Sequence, residues 1–157
     1  MLVELNKLGD LIKPRFPDNE AGYFYYWDDI REQLGDQVHP DGPCWALVLR
    51  DILPGSRGIF YSAQEATIAI NYNMEGYSFP RALEAATGIL THYVRTGERL
   101  FPDDPDTYAR CSDLIDTGNG PEHPGVVGSF APSGLHVSSH FDFHVHRNNG
   151  VAFCWKF

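Results

Sequence analysis

Long apolar runs are missing from this 157-residue chain, and none approaches the ~20 residues of a membrane-spanning helix. Cysteine is scarce and badly placed for cross-linking. Cys44, Cys111 and Cys154 are odd in number, far apart, and form no CxxC pair. A disulfide framework is therefore not expected, and a reducing compartment is the simpler setting. Cations are few as well: 12 Lys and Arg stand against 21 Asp and Glu, for a formal net charge of -9. That balance lacks the clustered basic groups that a phosphate backbone requires, so nucleic acid is not an expected partner. It does steer a basic protein toward the surface. Internal repeats, low-complexity tracts, P-loops, dinucleotide-binding glycine patterns, GxSxG, HExxH and zinc-deaminase signatures are all lacking. The opening "MLVELNKLGDLIK" carries Glu4 and Asp10 and no small-residue cleavage site, so it does not read as a secretory signal. The expected location is the cytoplasm, with no membrane association.

What is present reads as one domain spanning residues 1–157, of ordinary apolar and charged content. Leu2, Leu5, Leu8, Leu11 and Ile12 recur at helical spacing until Pro14 and Pro17. "WDDIREQLGD" predicts a second helix, with Asp28 and Asp29 near its positive end and Gly35 as its stop. "CWALVLRDIL", apolar on both faces, predicts a buried strand, and "GIFYS" and "ATIAINY" predict two more. "SFPRALEAATGILTHYVRTGERL" is the clearest helix, with Pro80 at its first position and Leu83, Ala86, Leu90 and Tyr93 or Val94 as its apolar stripe. Asp104-Pro105 then predicts the cap and first turn of a helix over "PDTYARCSDLID". From Val126 onward the chain reads as β. The fold class that follows is α+β: a mostly antiparallel sheet, helices packed on one face, and a C-terminal β-hairpin.

The hairpin centres on "SHFDFHVH". Side chains alternate across a strand, so His136, Ser138, His140, Asp142, His144 and His146 share one face, and Val137, Phe141, Phe143 and Val145 the other. "RNNG" predicts a three-residue turn with Gly150 in the left-handed conformation. Residues 139–146 would then pair with 151–157, placing Phe143 opposite Trp155, Val145 opposite Phe153, Asp142 beside Lys156 and His144 opposite Cys154. Four ligands at every second position span about 20 Å, which a zinc ion bonding at ~2.0–2.3 Å cannot gather. No metal or other cofactor is expected, and His140, His144 and His146 are expected to face solvent or a partner.

Two further stretches carry possible chemistry. "GYFYYWDD" sets Tyr23, Phe24, Tyr25, Tyr26 and Trp27 beside Asp28 and Asp29, and amphipathic rings of this kind anchor interfaces. Residues 98–122 hold Glu98, Asp103, Asp104, Asp106, Asp113, Asp116 and Glu122 against Arg99 and Arg110. The partner-binding set expected from these two stretches is Tyr25, Tyr26, Trp27, Asp28, Asp103, Asp104, Asp106, Asp113 and Asp116. "GPCWALV" resembles, at Cys44, Trp45 and Ala46, the nucleophile segment of papain-like cysteine peptidases, with Gln37 upstream near the oxyanion position of that family. The resemblance implies a thiol nucleophile served by His136, His140 or His144. That family opens a long helix at its nucleophile, whereas a strand is expected here, which favours a structural cysteine.

Residues 68–98, an apolar segment followed by "YSFPRALEAATGILTHYVRTGE", resemble a segment of immunity proteins from bacterial polymorphic-toxin systems. Phe79-Pro80 opens the helix and Thr96-Gly97 closes it, as in that pattern. The resemblance implies a small cytosolic binder that neutralises a toxin domain by covering it. The leading expectation is therefore a non-catalytic inhibitor with a basic partner, a cognate toxin domain. The alternative is a cysteine- or metal-dependent hydrolase using Cys44 with His140 or His144.

Overall fold

The computed structural model describes residues 4–16, 23–25, 28–37, 46–71, 77–118, 120–141, 145–152 and 154–156. It is an α+β fold. Helix α1 (Leu5–Ile12) runs into a 3-10 turn (Lys13–Arg15) at Pro14, and α2 (Asp28–Leu34) follows a short strand β1 (Tyr23–Tyr25). Both helices sit where apolar spacing and start and stop residues placed them. The third expected helix is α4 (Ala82–Thr96), which begins two residues after Pro80. Asp113 Oδ2 accepts the Ala82 N–H at 2.6 Å, and Glu84 reaches back to accept the Arg81 N–H at 2.8 Å. These two carboxylates satisfy donors that a helix start otherwise leaves open. Gly97, at φ 75°, closes the helix in the left-handed conformation and donates to the Tyr93 carbonyl.

Two sheets complete the architecture. The larger has the order β1-β6-β5-β4-β7, built from β4 (Tyr108–Ile115), β5 (His123–Ala131), β6 (Gly134–Ser139) and the two-residue β7 (Asn149–Gly150). Its central pairings, β4 with β5 and β5 with β6, are antiparallel; β1 and β7 add to its edges in parallel. The smaller sheet places β8 (Cys154–Lys156) between β2 (Ala46–Val48) and β3 (Tyr77–Ser78), antiparallel to both.

The register of the larger sheet separates two chemistries. Ala109, Val127 and Val137 align across three strands and belong to the main core, with Leu83, Ala86, Ile89 and Leu90 of α4 and Leu5 and Ile12 of α1. Each such fully buried large apolar side chain contributes ~1.5–3 kcal/mol relative to exposure. Phe16, Tyr93 and Phe130 close this core as mutually packed rings. The other face carries the rows Tyr108–Gly128–His136 and Arg110–Val126–Ser138. It is polar, and it is covered: Arg110 is fully buried and Ser138 nearly so.

Several expectations are corrected. Residues within "GIFYS" and "ATIAINY" form the helix α3 (Tyr61–Asn71), not strands. α3 buries Gln64 and Ile68, four apart, which is a helical and not a strand spacing. "YARCSDLI" is strand β4 and not a helix, because it completes a ladder with β5 that no local cap reveals. The strand expected over "CWALVLRDIL" shrinks to Ala46–Val48, and Ala46 and Leu47 are exposed; Cys44 and Trp45 lie outside the described residues. The His-rich strand ends at Ser139, and His140, Phe141, Val145 and His146 are not in strand. Trp155 pairs with Leu47 on one side and Tyr77 on the other, and its expected partner Phe143 lies outside the described residues. Asp142, Phe143, His144 and Phe153 lie outside the described residues. Gly150 belongs to β7 and has no positive φ; its lack of a side chain answers a close approach, since a Cβ there would lie 1.9 Å from Ile52 Cγ2.

Candidate functional site

The covered polar face converges on His140. Its backbone N–H donates to the Pro124 carbonyl, which holds it just beyond the end of β6, beside β5. Its Nδ1 lies 2.9 Å from Oδ1 of Asn149, which is fully buried. An amide oxygen only accepts, so Nδ1 carries the proton and Nε2 keeps its lone pair. The ring meets Tyr108 edge-on at 5.1 Å and stacks on His146 at 4.6 Å. Asn149 is placed by β7, which pairs it with Tyr108, and its N–H donates to the His146 carbonyl. Tyr108 in turn donates to the Asn148 carbonyl, and the Asn148 amide to Asp106 Oδ2 at 2.8 Å. The 145–150 segment is thus tied to the start of β4 at several points.

Burial sets the electrostatics. It pushes the His140 imidazole down to about 4, with His146 and Arg110 adding to the fall; the Asn149 hydrogen bond and Asp106 oppose it. His140 is therefore neutral around pH 7. Burial also lowers His136, against the pull of Asp106 and Asp103. Two residues along β4 from Tyr108, the Arg110 guanidinium lies 5.7 Å above the Tyr61 ring, within cation–π range. Burial, then Glu65, pushes the Tyr61 phenol up to about 12, so it stays protonated as a donor. Gln64, one helical turn on, donates to the Ser56 carbonyl at 2.7 Å, and Ser56 Oγ accepts the Val151 N–H at 2.9 Å. The result is a cluster of polar groups between α3 and the larger sheet, beside the apolar contacts of Ile68 with Phe79 and Val151. It contains a neutral, oriented imidazole within the field of a buried guanidinium.

The residues expected to bind a partner are dispersed. Asp103 and Asp104 are exposed in the loop that leads into β4. Asp106 is half-buried beside them and holds Asn148. Asp116 lies beyond the far end of β4, where its backbone exchanges hydrogen bonds with the Gln33 side chain on α2. An eight-residue strand separates the two groups, a distance of about 25 Å. Asp113 is largely withdrawn from the surface: its carboxylate holds Ala82 N–H and Arg81 Nε at the start of α4, with 6% of the side chain exposed. Asp28 is exposed at the start of α2; Tyr25 contributes its backbone to β1, and Tyr26 and Trp27 lie outside the described residues.

His140 and His146, expected to face outward, instead stack together and are half-buried. No cluster of three or more His, Cys, Asp or Glu suited to a metal ion occurs among the described residues. Cys111 and Cys154 are buried thiols outside any disulfide, and burial raises Cys111 well above the usual thiol range. Among the described residues no helix is long and apolar enough to cross a membrane. Sequence reasoning missed Arg110, Asn149, Tyr61 and Gln64. The Tyr61–Gln64–Ile68 spacing is a signal for the two on α3, since it puts a phenol, an amide and an aliphatic side chain on one helical face; Arg110 and Asn149 had no local signal. Comparison with protein-family models, with curated proteins and with solved structures finds no match for this chain.

Proposed function

We propose that this chain is a cytoplasmic, non-catalytic binding protein of the immunity or inhibitor kind, which neutralises a basic toxin domain by covering it. The observation that carries the reading is the loop 103–106. On a chain of net charge -9, it holds Asp103 and Asp104 exposed on a fixed support. Pro102 bridges to Phe130, the Thr107 N–H donates to the Pro102 carbonyl, and Asp106 is tied to Asn148. A carboxylate loop ordered in advance loses little freedom on binding and speeds encounter with a basic surface. Because Asp116 lies at the far end of β4, held by Gln33 of α2, and Asp28 opens that same helix, the 103–106 end is taken as the contact, and Asp113 is not part of it. The test is co-expression with the toxin domains encoded beside the gene, and binding kinetics of an Asp103→Lys/Asp104→Lys variant. The expected result is rescue by the wild-type chain and an association rate reduced about tenfold or more in the variant at low salt. If no neighbouring toxin is bound or neutralised, the reading is abandoned.

One observation favours a second reading, a hydrolase using Cys44 with His140. The Nδ1–Asn149 hydrogen bond fixes the imidazole with its Nε2 lone pair free, the tautomer a general base requires. Cys44→Ala and His140→Ala discriminate. Under this reading both abolish the biological activity while the fold persists; under the binding reading Cys44→Ala leaves neutralisation intact.

A further inference from the structure

Beside the acidic loop, the described residues form an open cleft of about 590 Å3. Its rim holds Arg50, Arg57 and Arg99 against two carboxylates, Asp51 and Glu98, above an apolar floor that includes Phe101. Three guanidinium groups against two carboxylates make this a net positive cleft on a chain of net charge -9. A third of the nine arginines are gathered here.

We propose that this cleft binds a small molecule carrying an oxyanion, carboxylate or phosphate, on a compact apolar body. Glu98 already demonstrates the chemistry. Its carboxylate lies 2.6 Å from Arg50 Nη2 and 2.7 Å from His92 Nε2. The hydrogen bond from His92, with Arg50 behind it, holds the Glu98 carboxyl below its ordinary range. A ligand oxyanion that takes Arg50 leaves Glu98 its His92 partner, so the exchange strands no charge. Arg57 is positioned toward the cleft by its hydrogen bond to Thr107 Oγ1 at 3.1 Å. Arg99 has no hydrogen bond or ion pair among the described residues, and it is the guanidinium with the most capacity to spare for a ligand. Planar guanidinium forks of this kind match a carboxylate or phosphate with paired hydrogen bonds.

The floor is built rather than incidental. Phe101 is buried and held at φ 51°, a left-handed conformation that a residue with a side chain adopts only under strain. The Phe130 N–H, donating to the Phe101 carbonyl at 2.9 Å, fixes it there. The apolar body of the ligand would rest on this segment while the oxyanion meets the arginines.

The test is titration calorimetry on the full chain at low ionic strength, with phenyl phosphate, benzoate and inorganic phosphate as probes. Saturable binding of phenyl phosphate or benzoate, tighter than that of inorganic phosphate, is expected; which of the two binds better separates the phosphate and carboxylate classes. Arg99→Ala should weaken the better probe about tenfold, the equivalent of one charge-assisted hydrogen bond. Arg95→Ala, an exposed cation outside the cleft, should leave the affinity unchanged. The proposal is overturned by no saturable binding up to about 10 mM, by equal affinity for bare phosphate, or by equal losses in Arg95→Ala and Arg99→Ala. None of these outcomes bears on neutralisation of a partner through the 103–106 loop.

Discussion

Acid should unfold this protein partly through one imidazole. His140 is held at about 4 in the fold against an ordinary value of 6.5, chiefly because its charged form is desolvated. A depressed histidine means that the unfolded chain binds more protons than the folded one between those two values. Stability therefore rises with pH across that window and is lost as pH falls through it. The full separation is worth about 3 kcal/mol, and about 2 kcal/mol of it is already gone at pH 5. That is a large share of the ~5–15 kcal/mol that holds a typical domain together. Burial decides the sign. Among the groups facing the ring, the Asn149 hydrogen bond and Asp106 favour its protonation, and His146 and Arg110 oppose it.

The assay is urea unfolding at a series of pH values from about 7.5 to about 4.5, run on the wild type and on His140→Gln. Glutamine can still donate to Asn149 and does not titrate. Carboxylates contribute equally to both proteins, so the difference between the two curves isolates His140. The wild type should lose about 2 kcal/mol more than the variant on going from pH 7 to pH 5. Parallel curves, or a His140 resonance titrating near 6.5, would refute the burial argument.

Asp113→Asn should lower stability by about 1–3 kcal/mol in chemical denaturation, because it weakens two donors that a buried carboxylate satisfies at the start of α4. The same change should leave any partner affinity untouched, since the side chain is largely withdrawn from the surface. Gly128→Ala should be among the worst single substitutions: the new Cβ would lie 2.2 Å from the Thr107 carbonyl oxygen, and no side chain can move aside to relieve it. Loss of cooperative unfolding or of soluble expression is the expected readout, and a melting temperature within a few degrees of wild type would contradict it. Gly150→Ala meets the Cγ2 methyl of Ile52 instead, a side-chain atom, so Ile52→Ala, which removes that methyl, should recover part of its ~1–3 kcal/mol loss in a double-mutant cycle.

The contrast between those two glycines shows what could be read from the sequence and what could not. Helices α1, α2 and α4 were legible because their stop signals are local: prolines after α1, Gly35 after α2, Gly97 after α4. The alternation of His136, Val137 and Ser138 was equally legible, and it does assign Val137 to the core and the other two to the opposite face. Nothing local states what lies over that opposite face. A polar face need not be a wet one: α3 supplies Tyr61 and Gln64 as its cover and Arg110 is fully buried beneath. α3 itself was hard to recognise because it buries only every fourth residue on one narrow stripe, and its Tyr, Ile and Thr content favours strand. The sequence of β4 reads as a helix because Asp104-Pro105 imitates a helix start, and the ladder with β5 that decides otherwise joins residues up to about twenty apart. The same non-local pairing makes Gly128 indispensable, since only the partner strand brings the Thr107 carbonyl against it. The candidate site inherits this limit. His140 was visible as one histidine among several, but Asn149, Arg110 and Tyr61 become its neighbours only once β7, β4 and α3 converge on the polar face, and that convergence turns an alternating run into an oriented, uncharged base.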